Sequence, residues 1–218
     1  MSVIDTLITY RSANDVARLK QLLRKGWQNM TQDERDEYSG GVSALQDKND
    51  EYLFDSNSEQ LFVLGGQPLG AYNYADLNRV ETAVAYVAAE LYAAHATLQA
   101  YATSLGVAWD SLFDVPYDYT DYASLTTKTD WTDEDIMYAA DATRYLGNLV
   151  LIAAAYETGV ALPASMNGLD YSGANAIERL LIAIDRALAD DMEYRETLIR
   201  GTLAVNYSGE IYSGEGVA

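Results

Sequence analysis

Cysteine is absent from the 218 residues, which removes disulfides, thiolate metal sites and Cys nucleophiles. Histidine occurs once, as His95. A base needs an orienting partner and a nucleophile, so a lone histidine inside an apolar helical run reads as a packed or hydrogen-bonded core residue. Positive charge is scarce: 14 Lys and Arg stand against 33 Asp and Glu, a formal net charge of −19. Backbone phosphates and anionic headgroups are held by Lys and Arg, so neither nucleic acid nor an anionic membrane is an expected partner. No apolar run reaches the ~18 residues a membrane span requires. The first residues lack a basic segment leading into an apolar one, so no secretory leader is expected. His-Glu-x-x-His, Gly-x-Ser-x-Gly, a phosphate-cradling glycine loop and the dinucleotide fingerprint are all missing. Carboxylate pairs able to cleave a glycosidic bond cannot be singled out, because 33 acids offer many accidental couples. No catalytic residue, cofactor or metal site is therefore expected from the residues themselves.

Tyrosine is abundant, at 18 residues. Its large apolar face, single polar tip and few rotamers suit protein interfaces as well as cores. Alanine is concentrated in the stretch from Gly70 to Gly106. Leu77, Val80, Val84, Val87, Leu91, Leu98, Tyr101 and Leu105 recur there at helical spacing, which predicts one long helix used as a central post. Asn73 is its N-cap, with an amide oxygen placed to accept the free N–H of Asp76. Asp76 sits where negative charge favours the helix dipole, and Gly106 is placed to end the helix. A −19 charge reads as solubility and self-repulsion before it reads as mimicry of another acidic molecule.

Residues 1–11 read as an extended arm or a short strand. Ser12 caps a helix of about three and a half turns, with Asp15 three positions on and a stripe of Val16, Leu19, Leu22 and Leu23. Arg18, Lys20, Arg24 and Lys25 gather toward its C-terminal half, Gly26 stops it, and Trp27 is expected to fold back on the stripe. Thr31 to Glu34 is a capping box for a short acidic helix ended by Gly40 and Gly41. In 42–69, Ser43 to Asp50 suggests a helical turn or two. Leu61 to Leu64 suggests a buried strand or a packed loop. Asp47, Asn49, Glu51, Asp55, Asn57 and Glu59 are rich in oxygen but lack calcium-loop spacing, and read as a solvated loop.

Residues 107–130 read as a long loop, or a loop with one helical turn near Trp109. Loops of that length are often functional surfaces. Trp131, Thr132, Asp135 and Ile136 repeat the aromatic-then-cap entry, predicting a helix or helix pair to Glu157 with a restart at Asp141. Tyr171 to Asn175 opens a third long helix with Ile177, Leu180, Leu181, Ile184 and Leu188, expected to end near Leu198 or Ile199 and to be broken by Gly201. The tail is a doubled Tyr-Ser-Gly-Glu, at 207–210 and 212–215. It reads as a tiny hairpin, an edge strand added to a neighbour, or a disordered tail.

Several phrases resemble a family of structural proteins encoded among the tail genes of phages and prophages of Gram-positive bacteria. They are Lys25-Gly26-Trp27 with Met30-Thr31; Gly70-Ala71-Tyr72-Asn73 with Asp76 to Val80; Lys128 to Trp131; Arg144-Tyr145-Leu146 with Asn148; Leu162-Pro163 with Ser165-Met166; and Leu169, Tyr171, Gly173-Ala174-Asn175, Ile177-Glu178 with the closing doublet. They span most of the chain in a shared order. The chain departs from the family pattern at about 46–69, where the family passes directly from the acidic helix into Gly-Ala-Tyr-Asn. The resemblance implies a non-enzymatic virion component of the tail tip or baseplate. Its partners would be other virion tail proteins and further copies of itself, with assembly in the bacterial cytoplasm.

The expected fold is mainly α, a helical bundle on the helices near 74–105, 133–158 and 173–199. Residues 1–69 are an N-terminal arm with short helices and an inserted loop, 70–205 the bundle, and 206–218 a short β-like tail. The expected protein-contact residues are Trp109, Tyr117, Tyr119, Tyr122, Trp131, Tyr207 and Tyr212. Two other classes compete: a tail module that binds cell-surface glycan through the aromatic loop, and an acidic inhibitor that imitates DNA.

Overall fold

The structure, a computed structural model, describes residues 2–39, 43–44, 62–63, 72–104, 106, 120–132 and 134–211. A 3₁₀ turn at Val3–Thr6 opens the chain. It is followed by α1 (Ala13–Lys25), a second 3₁₀ turn (Trp27–Asn29) and α2 (Gln32–Ser39). β1 (Ser43–Ala44) pairs antiparallel with β2 (Phe62–Val63). Then come α3 (Tyr74–Ser104), α4 (Thr120–Ala123), α5 (Ala139–Ala153) and α6 (Tyr171–Ile211). The fold is mainly helical, as the apolar spacing predicts.

α3 is the post. It packs against α4, α5, α6 and the first 3₁₀ turn. Its 31 residues span about 46 Å at the α-helical rise of 1.5 Å per residue. Leu77, Val80, Val84, Val87, Leu91 and Leu98 are all buried, as is His95. Ile177, Leu180, Leu181, Ile184 and Leu188 of α6 close on that face, with Tyr145, Leu149 and Ile152 of α5. Ala83, Ala88 and Ala94 are buried between them. Their small side chains let neighbouring elements approach closely. Asn73 Oδ1 accepts from the backbone N–H of Ala75 at 2.8 Å and of Asp76 at 3.4 Å, so the cap forms as expected. Gly106 takes φ +69°, the left-handed conformation of a helix-ending glycine.

The small caps of the arm also form. Asp15 Oδ2 accepts from the backbone and hydroxyl of Ser12, and Glu34 Oε2 from the Thr31 backbone. Leu22 and Met30 are buried, yet neither belongs to the main core. The arm therefore has a small packing centre of its own. Trp27 does not return to the α1 stripe. It meets Tyr38 of α2 edge-on at 6.2 Å, under the Arg35 guanidinium.

Further expectations are corrected. Ser43 and Ala44 form a strand rather than a helical turn. The Thr132–Asp135 box closes, but it starts no long helix; α5 begins at Ala139, where Asp141 accepts from the Tyr138 backbone N–H, and it ends at Ala153. Ile136 is 67% exposed, so it makes no staple with buried Trp131. The third long helix does not end near Leu198: α6 is capped by Asp170, whose Oδ1 accepts from the Gly173 N–H at 2.8 Å, and it passes through Gly201 to Ile211. The β-like tail expected at 206–218 is helical as far as Ile211, and the rest of it lies outside the described residues.

Candidate functional site

The polar interior is organised as two ion clusters. The first joins the N-terminal segment to α3 and α6. Arg11 Nη2 donates to Asp76 Oδ1 and to Glu178 Oε1, both at 2.7 Å. Arg79 Nη2 donates to the same two carboxylates, and its Nε to Glu178 Oε2 at 3.1 Å. Glu178 is 0% exposed and also accepts from the Ile8 backbone N–H. Two cations thus meet two anions, the balance that a buried charge requires. Burial works to lower the Arg79 guanidinium. The charges and hydrogen bonds of Glu178 and Asp76 outweigh it and hold the group above its ordinary range.

The same cluster explains why 7–12 is extended and pairs with no strand. Asn175 Oδ1 accepts from the Arg11 N–H, Asn175 Nδ2 donates to the Arg11 carbonyl, and Arg179 donates to the Thr9 carbonyl. Asn175, Glu178 and Arg179 share one face of α6. That face does for the segment what a neighbouring strand would otherwise do. Tyr72 lies under the Arg11 guanidinium at 5.5 Å, and its hydroxyl bonds that of Tyr145. Burial first, and then the charge of Glu178, pushes the Tyr72 phenol up. Burial likewise raises that of Tyr145.

The second cluster fastens 126–131 to α3 and α5. Glu81, 1% exposed, accepts from both terminal nitrogens of Arg144, from the Lys128 backbone and from the Trp131 indole. Asn78 brackets the Trp131 peptide, accepting from its N–H at 2.7 Å and donating to its carbonyl at 2.8 Å. Asn148 donates to the Thr126 carbonyl at 2.8 Å. Both clusters consume their charges internally, so their chemistry is to clamp backbone.

The residues expected to touch partners are scattered. Tyr122 and Trp131 are 3% and 4% exposed and pack in the main core, so their rings serve this chain's own closure. Tyr207 lies on α6. Trp109, Tyr117, Tyr119 and Tyr212 lie outside the described residues, as does the oxygen-rich stretch at 47–59. Among the described residues, no group of His, Asp and Glu is arranged to hold a metal ion, and no helix is long and apolar enough to cross a membrane.

One open groove, of about 390 Å³, runs between the C-terminal half of α3 and α6. Tyr86, Ala93, Leu188 and Met192 line it, and Glu90 and Asp185 stand beside them. Burial raises the Asp185 carboxyl, and the nearby charge of Asp5 adds to the shift. Sequence reading missed both clusters and the groove. The only signal available was acids and arginines standing inside apolar helical runs, at Asp76, Glu81 and Glu178. Comparison of the chain with protein-family models, with curated proteins and with solved structures finds no match.

Proposed function

We propose that the chain is a structural and assembly component of a phage-like tail, at the tip or baseplate, working through protein–protein contacts and without catalysis. One observation carries the reading. The phrases that resemble the tail family include ten of the residues that clamp this fold. Tyr72, Asp76, Arg79, Asn175 and Glu178 belong to the first cluster, and Asn78, Lys128, Trp131, Arg144 and Asn148 to the second. The resemblance is thus of fold-determining side chains, as suits a scaffold whose work is to keep its shape while others grip it. Repeated copies around a symmetric tail would add weak contacts into a firm assembly. Mass spectrometry of purified particles from a strain that encodes the chain is the test. Its peptides are expected in the tail fraction. Their absence from particles that carry every other tail protein would reject the reading.

A further inference from the structure

The groove between α3 and α6 sets apolar Tyr86, Ala93, Leu188 and Met192 beside two carboxylates, Glu90 and Asp185. Neither carboxylate has an ion-pair or hydrogen-bond partner among the described residues. Asp185 is partly buried, with its carboxyl raised by that burial and by Asp5. A cation arriving there would relieve both effects.

The arm carries a face of complementary character. Lys20, Leu23 and Arg24 fall at i, i+3 and i+4, so they share one side of α1. Leu23 is 54% exposed. Arg18 and Lys25, on the other side, are already paired with Glu37 and Glu34 of α2. Lys20 and Arg24 are exposed and have no ion-pair partner among the described residues. Among the described residues, α1 packs chiefly on α2 and the Trp27–Asn29 turn, which leaves this face open. Positions 20 to 24 cover about 6 Å of helix, within the roughly 16 Å between positions 86 and 97 of α3.

We infer that the α3/α6 groove of one copy takes the Lys20–Leu23–Arg24 face of α1 from a second copy. Leu23 meets the apolar lining, and Lys20 and Arg24 meet Glu90 and Asp185. This is helix-in-groove recognition, with anchors at i, i+3 and i+4. It names a contact by which a chain of net charge −19 can join another of the same sign, through opposite charges brought face to face. Different surfaces meet, so repetition yields a ring or an open array. The contact does not rest on the tail assignment, and its failure would leave the particle test above unaffected.

Sedimentation equilibrium of the purified full chain across the micromolar range is expected to show reversible self-association. Lys20→Glu with Arg24→Glu, or Glu90→Lys with Asp185→Lys, is expected to weaken it about tenfold or more, since each double change turns two attractions into repulsions. The two double variants mixed are expected to regain association in equal proportions, because the intact groove meets the intact arm and the reversed groove meets the reversed arm. Circular dichroism checks that both keep their helices. A carbodiimide cross-link from Lys20 to Glu90 or Asp185, between isotope-labelled and unlabelled wild-type copies, supports the contact without any substitution. A wild-type chain that stays monomeric overturns it, as does association that both double variants retain unchanged.

Discussion

Glu178 holds three parts of the molecule at once, through the Ile8 N–H, Arg11 and Arg79. Removing it leaves two guanidiniums inside the protein with only Asp76 opposite them. Glu178→Ala is therefore expected to cost about 3–5 kcal/mol, the usual penalty for breaking a buried pair. Urea denaturation reads this as a lower midpoint, and an unchanged midpoint would mean that water reaches the cluster. The Tyr72–Tyr145 pair makes a second prediction. Both phenols are raised above the ordinary value of 10.0, chiefly by burial. A group raised on folding contributes stability that is complete below its unfolded pKa and is lost as pH rises beyond it. Stability should hold at neutral pH and fall above about pH 10. Tyrosinate absorbance from this pair should then appear together with loss of helical ellipticity. Ionisation of both rings in a fully helical protein would contradict their burial.

At the scale of elements, caps formed wherever the chain was free to follow them. Ser12 with Asp15, Thr31 with Glu34, and Asn73 with Asp76 all close at the expected positions. The Thr132–Asp135 box closes as well, yet the helix waits until Ala139. The reason is visible one residue earlier. Asn78 and Glu81 hold Trp131 by its peptide and its indole, so the chain leaves α3 in a direction those bonds set. Gly201 illustrates the opposite failure. A glycine costs a helix only about 1 kcal/mol relative to alanine, and the long α6 absorbs that cost. Gly201→Ala is accordingly expected to raise stability by up to about 1 kcal/mol and to keep or increase helicity. A loss of stability would mean that position 201 needs a backbone only glycine adopts.

Across the whole molecule, the core is one continuous packing of α3, α5 and α6, with Ile4 and Leu7 from the N-terminal segment. The arm built on Leu22 and Met30 stands outside it. Hydrogen exchange should divide the chain along that line. Amides of α3 between Leu77 and Leu91 and of α6 between Ile177 and Ile184 should open only with global unfolding. Those of α1 and α2 should exchange through smaller openings at lower free energy. Uniform protection across arm and bundle would mean that they unfold as one unit. The apolar side of this architecture was legible: every aliphatic position that periodicity assigned to α6 is buried. On α5, Leu149 and Ile152 are buried while Val150 between them is 60% exposed, because apolar spacing finds a face but does not say how wide the neighbour covering it is.

Local physics lies within reach of the letters. Apolar period, side-chain oxygens before a helix and glycine after it act over three or four residues, and they set α1, α2, α3 and the existence of α5 and α6 unaided. That Asp76, Glu81 and Glu178, among the described acids, would be sealed inside was decided by the tertiary structure alone. A carboxylate is buried only where a cation arrives to meet it, and Arg11 reaches Asp76 and Glu178 across 65 and 167 positions of chain.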